Sequence, residues 1–217
     1  MLYKINQMEH YTLTPEDFLS RKERTALMKC CKERAVIDLM KGRRTWVIRY
    51  ILVDLALYSG LRVSEMCNLK VGDLYLPATD PYIIVRHGKG DRERTVYIDE
   101  KLSSHLRWYV EEYKSKTLFQ SIEDDAPLFS GQGGKHSPTI TLMKSFKEAV
   151  HAAQLRDTIS IHKCRHTYAT YLLHDTGNLK YVQKQLGHSD IAMTSLYANI
   201  LPEMNGTLAN KISRDDE

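Results

Sequence analysis

"RRTWVIRYILVDLALYSGLRVSEMCNL", residues 43–69, decides the fold. Residues 43–60 are apolar on nearly every face and end in Gly60, so they read as a helix buried all round and closed by a C-terminal glycine cap. Such a helix needs a core around it, and a chain of 217 residues is long enough to build one without staples. A second, short helix is predicted to start at about Arg62.

Working outward toward the N-terminus, residues 22–39 carry an amphipathic helical pattern. Before it, "TLTPEDF" reads as a helix start, with Thr14 as N-cap, Pro15 at the first helical position and Glu16 and Asp17 in the first turn. Residues 1–13 form a short lead-in. Toward the C-terminus the period changes: "DLYL", "YIIVR" and "RTVYI" are β-rich, separated by "PATDP" and "HGKGDRE", and predict a small antiparallel sheet whose last two strands form a hairpin. Helices return at about 100–116, 138–153, 162–175, 179–186 and 190–197, with "FSGQGGKHSPT" as the main glycine-rich loop. The predicted class is α+β, mainly α: one helical domain over residues 14–200 with a small three-stranded antiparallel sheet, followed by a tail at 201–217.

Composition narrows the function classes. Cys30, Cys31, Cys67 and Cys164 show no paired CxxC spacing, which argues against a disulfide framework and a structural zinc site and predicts a reduced, intracellular protein. The longest apolar run, "WVIRYILVDLALY", is 13 residues with Arg49 and Asp54 inside it, so no membrane span is predicted. Lysine and arginine exceed aspartate and glutamate by 31 to 27, a net of +4 that mildly favours a polyanionic partner and by itself decides nothing.

Four short stretches hold residues able to do chemistry. Arg62 starts a helix, where backbone N–H groups point outward and an anion is welcome. Glu65, three residues on, lies on the same face and can hold a basic group by a charge-assisted hydrogen bond, although an ordinary surface ion pair also accounts for the two. Lys89, between Gly88 and Gly90, presents its ammonium at a hairpin tip, as many merely solvated turn lysines do. In "ISIHKCRHTYATYLL", residues 159–173, His162 and Arg165 share a helical face while Ile161, Cys164, Tyr168 and Leu172 form an apolar stripe. His162 and His166 have the spacing of a zinc pair but lack an intervening glutamate and a third ligand. In "LGHSDIAMTSLYANI", residues 186–200, His188 precedes Tyr197 by nine positions, and Ile191, Met193 and Leu196 between them suit a packed helix with no chemistry at all.

Together these stretches say more. Two arginines, a lysine and two histidines can surround a phosphate, a tyrosine that can attack it follows, and no acidic cluster is present to hold Mg²⁺. In this order the set resembles the tyrosine recombinases, or phage integrase family. "SGLRVSE", "GKG", "HKCRHTYAT" and "LGHSDIAMTSLY" are similar to that family's first-arginine, lysine, His-x-x-Arg and second-histidine-plus-tyrosine boxes. The likeness covers residues 58–198 directly, and the helical layout extends it back to about residue 14.

The resemblance implies a site-specific recombinase that cleaves and rejoins DNA through a 3′-phosphotyrosine bond, with no metal, cofactor or ATP. Tyr197 would be the nucleophile, Arg62, Arg165 and His188 ligands of the phosphate, and Lys89 the general acid at the leaving 5′ oxygen. His162 would take the tyrosine proton or hydrogen-bond the phosphate, and Glu65 would orient a neighbouring basic group. Double-stranded DNA is the implied partner, with a homo-tetramer on DNA, a monomer or weak oligomer when free, and an intracellular, nucleoid-associated location. The tail at 201–217 is expected to pack on its own domain or on a neighbouring protomer.

Some features depart from the family pattern. Only about 13 residues precede the first catalytic-domain helix, where relatives carry DNA-clamping domains; an excised fragment and a minimal enzyme are the two expectations. Cys164 replaces the more usual leucine and Tyr168 the usual phenylalanine, each keeping an apolar role. The competing readings are a type IB topoisomerase, which shares the basic residues and the tyrosine, and a DNA-binding module without catalysis. The tight spacing of His188 and Tyr197 favours the recombinase.

Overall fold

The computed structural model describes residues 14–86, 93–114 and 123–187. Lys89, His188 and Tyr197, the helix expected at 190–197 and the tail at 201–217 lie outside the described residues.

Helix α1 spans Arg21–Met40 and helix α2 spans Thr45–Tyr58. Ser20 and Glu23 cap α1 reciprocally: the serine hydroxyl accepts the Glu23 N–H at 3.2 Å, and the Glu23 carboxylate accepts the Ser20 N–H at 2.8 Å. The turn into α2 is fastened by buried Asp38, whose carboxylate accepts the Trp46 N–H at 2.8 Å. As its all-round apolar pattern requires, α2 runs through the centre of the core, with Ile51, Leu52, Val53, Leu55, Ala56 and Leu57 fully buried. Removing that much apolar surface from water, about 1.5–3 kcal/mol per large side chain, is the main stabilising contribution of this helix.

Thr14 caps a helical turn as expected, with Pro15 at its first position and Glu16 and Asp17 within it, but the turn is 3-10 and stops at once. Pro15–Asp17 is a 3-10 turn, and the chain leaves it so that Leu19 can bury completely and give its N–H to the Thr167 hydroxyl at 2.8 Å. Burial of one leucine outweighs continuation of a short, polar helix.

After the short helix α3, Val63–Asn68, come β1 at Leu74–Tyr75, β2 at Tyr82–Val85 and β3 at Arg94–Tyr97. They form one antiparallel sheet in the order β1-β2-β3, with Val85 opposite Arg94 and Ile83 opposite Val96. Ile83, Val85 and Val96 face the core. Helix α4, Glu100–Arg107, starts at Asp99, whose side chain accepts the Leu102 N–H at 2.9 Å. It widens into π turns over Trp108–Lys114 where one continuous helix was expected, and Tyr109 stays buried. Helix α5 is Thr139–Ala152, α6 is Ile161–Thr176 and α7 is Leu179–Leu186.

The fold is therefore mainly helical with a small three-stranded antiparallel sheet, as predicted. Cys164 is fully buried in the main core, and Tyr168 packs on the small cluster of Ala169, Val182 and Leu186 that joins α6 to α7. Both keep the apolar role expected of them. All four cysteines are free. Among the described residues, no helix is long and apolar enough to cross a membrane.

Candidate active site

The site grows from the end of α2. Gly60 turns the chain at φ +66, and a Cβ there would lie 2.4 Å from the Tyr168 ring, so only glycine lets α6 approach this closely. The turn delivers Arg62 to the N-cap of α3. Glu65, one turn in, accepts the Arg62 backbone N–H on Oε2 at 2.8 Å and the Arg62 guanidinium on Oε1 at 2.8 Å.

Arg165 arrives from α6. Its guanidinium donates to the Gly60 carbonyl at 2.5 Å and to the Leu186 carbonyl at 2.7 Å, and lies 4.0 Å from Glu65 Oε2. Leu186 ends α7, where carbonyls lack helical partners and the helix dipole is negative, so a permanent cation suits the place. The arginine is buried and held at several points. His162 begins the same helix but is exposed; the face it shares with Arg165 in sequence thus divides into a buried donor and a solvent-facing one. The N-terminal turn of α6 is anchored separately by Lys163, which donates to the Glu16 carbonyl at 2.7 Å.

A third guanidinium completes the cluster and was not read from the sequence. Arg94, at the start of β3, places Nη1 on Glu65 Oε1 and Nη2 on Oε2, each at 2.9 Å, and Nε on the Gln185 carbonyl at 3.2 Å. Gln185 was missed as well. Its side chain is buried, accepting the Tyr97 N–H at 3.1 Å and donating to the Tyr181 hydroxyl at 2.6 Å, and so docks α7 on β3. The available signal was a glutamine in phase with Val182 and Leu186 on the apolar face of α7.

The electrostatics follow from this packing. Burial pushes the Glu65 pKa up, but the hydrogen bonds and charge of Arg94, and then those of Arg62, outweigh it and hold the carboxyl below its ordinary value. On α6, burial lowers the His166 pKa; Asp17 opposes this, while Arg165 and His162 add to it. Burial thus favours the neutral imidazole at His166. Among the described residues no group of three or more His, Cys, Asp or Glu side chains converges to hold a metal ion, so His162 and His166 meet no third ligand there.

Of the sequence-predicted residues, Arg62, Glu65 and Arg165 meet in one cluster, His162 lies one turn from Arg165, and Lys89, His188 and Tyr197 lie outside the described residues. In the sequence, Lys89 lies in the connection between β2 and β3, and His188 directly follows Gly187. Such a cluster presents permanent positive charge beside fixed carbonyl and carboxylate partners, an arrangement able to grip a tetrahedral anion.

The sequence matches the phage integrase family over residues 17–204. A tyrosine recombinase of Pseudothermotoga lettingae is 33% identical over 184 residues, covering 81% of this chain and 56% of the relative. The crystal structure of XerA recombinase superposes with a TM-score of 0.69 at 25% identity, over 91% of this chain and 66% of that one. The Tn1549 transposon integrase, solved in complex with transposon right end DNA, shares the fold at a TM-score of 0.67 and 22% identity, over 93% of this chain and 68% of that one. The chain spans about half the length of the curated relatives it matches, from 48% to 58%.

Proposed function

The chain belongs to the phage integrase family, and on that premise we propose that it cleaves and rejoins DNA strands through a 3′-phosphotyrosine bond. The observation that carries the reading is the convergence of Arg62 and Arg165 on Glu65 from helices far apart in sequence. Guanidinium groups so held can stabilise charge that develops on the non-bridging oxygens of a phosphate in a pentavalent transition state.

Tyr197 Oη attacks phosphorus, a P–O bond to tyrosine forms, and the bond to the 5′ oxygen breaks. Lys89 gives its proton to that oxygen. His162 assists loss of the tyrosine proton or hydrogen-bonds the phosphate, and His188 ligates the same group. Glu65 acts through the arginines. The phosphoester bond energy is kept in the phosphotyrosine link, so attack by a 5′ hydroxyl reseals the strand without ATP.

Residues 14–200 are the catalytic unit in this reading, and 201–217 a tail that packs in cis or on a neighbour. The substrate is duplex DNA inside a cell, and the assembly that exchanges strands is a homo-tetramer on DNA. That the relatives are tyrosine recombinases weighs against a type IB topoisomerase and against a binding module.

The test is formation of a covalent protein–DNA adduct on a nicked suicide duplex in EDTA. The adduct is expected with the wild-type chain and absent with Tyr197→Phe. An adduct that survives this substitution, or that needs Mg²⁺, defeats the assignment.

A further inference from the structure

Arg94 has no part in the reaction just described, yet each nitrogen of its guanidinium has a partner. Nη1 and Nη2 meet the two Glu65 oxygens at 2.9 Å each, Nε meets the Gln185 carbonyl at 3.2 Å, and the side chain is only 12% exposed. Its stem lies so close to Gly187 that a Cβ at that position would stand 2.7 Å from Arg94 Cδ and 2.8 Å from Nε. One side chain thus joins the α3 segment bearing Arg62, the strand that follows Lys89, and the last residue before His188.

Charge balance gives this placement a consequence. Glu65 is 3% exposed, and a carboxylate so far from water draws in whatever cations are near. Arg94 meets both oxygens at once with its planar fork, a geometry that a lysine cannot reproduce. Arg62 then makes one side-chain contact at 2.8 Å, and Arg165 stays 4.0 Å away. Without Arg94, these two become the carboxylate's nearest counter-charges and turn toward it instead of toward a bound phosphate.

We propose that Arg94 is a positioning residue: it neutralises Glu65 so that Arg62 and Arg165 remain directed at the phosphate, and it clamps the end of α7 beside them. The proposal rests on the recombinase reading. It is tested with the full chain by single-turnover adduct formation on the nicked duplex, alongside duplex affinity and thermal melting.

Arg94→Ala is expected to slow adduct formation roughly 10²-fold, the scale of a small misplacement at a reacting centre. Duplex affinity should fall far less than the rate, because Arg94, buried on Glu65, is not itself a phosphate contact and the two arginines it leaves turn away from a single phosphate. Arg94→Lys should fall between the two. The decisive variant is Arg94→Ala combined with Glu65→Gln, which removes the uncompensated charge; it should cleave about tenfold faster than Arg94→Ala alone.

A purely architectural Arg94 predicts the reverse: the double variant is slower still, and rates follow melting temperature. That result, or an unchanged rate in a folded Arg94→Ala chain, overturns the proposal. A wild-type chain that forms no adduct overturns the recombinase reading and this proposal with it, whereas a normal wild type beside variants that track stability overturns the Arg94 role alone.

Discussion

Glu65 and Asp54 are carboxylates of equal burial, each side chain 3% exposed, and they behave in opposite ways. Glu65 is held below its ordinary pKa by two guanidiniums. For Asp54, on α2, burial is the largest influence and raises its pKa; the hydrogen bond from His105, Oδ2 to Nδ1 at 2.7 Å, opposes the rise without cancelling it. The Tyr50 hydroxyl lies 3.3 Å from the same imidazole, and burial, with Asp54 next, pushes its pKa up to about 12. The two regions show that burial alone does not set the direction in which a carboxylate's pKa moves in this fold. Glu65 has two guanidiniums within hydrogen-bond reach, whereas Asp54 has one imidazole.

The largest effect should come from breaking the richer side. Glu65→Gln leaves three guanidiniums together without a counter-charge, and removing one partner of a buried ionic group costs about 3–5 kcal/mol. Chemical denaturation at neutral pH checks this. A loss no greater than that of Asp54→Asn would show that the cluster is already solvent-screened. Next comes Arg165→Ala, which removes a donor aimed at developing phosphate charge and should lower the rate of adduct formation about 10²–10³-fold. If the rate holds while stability falls, Arg165 serves only to tie Gly60 to Leu186.

Much of this arrangement was legible in the sequence. The all-round apolar α2, the period-two strands and the glycine at 60 are local signals, because burial repeats with the geometry of each element. Arg62, Glu65 and Arg165 could be picked out because their order is a motif. Arg94 and Gln185 could not, since the contacts that give them meaning span 29 and 91 residues and leave no period behind. Leu19 is a further case: its partner Thr167 is 148 residues away, and that contact turned an expected helix start into a single 3-10 turn.

A smaller effect separates two glycines that end neighbouring helices. Gly177 and Gly187 share the left-handed conformation, at φ +62 and +66, but a Cβ at Gly177 meets nothing within 4 Å while one at Gly187 runs into Arg94. Gly177→Ala should therefore cost about 1–2 kcal/mol, the penalty of that conformation alone. Gly187→Ala should cost more and also slow adduct formation by displacing Arg94. Equal melting points and equal rates would mean that the contact yields without consequence.

The smallest effect lies at the α2–α4 junction and is best seen against pH. Glu65, with its folded pKa below the ordinary 4.5, contributes stability that is complete above that value and is lost as pH falls through the folded one. Asp54, with its folded pKa above 3.8, does the reverse: the folded state takes up the proton first, so stability is gained as pH falls from the folded value toward 3.8. At neutral pH Asp54→Asn keeps an oxygen to accept from His105 and should change stability by about 1 kcal/mol or less. As pH falls through the folded Asp54 value and on through the folded Glu65 value, the variant forgoes the gain from Asp54 protonation while keeping the loss from Glu65, so its stability should fall more steeply than that of the wild type. Melting curves across that range check the sign. A shallower acid limb in Asp54→Asn would mean that the His105 contact, and not burial, governs this carboxylate, and the contrast with Glu65 would collapse.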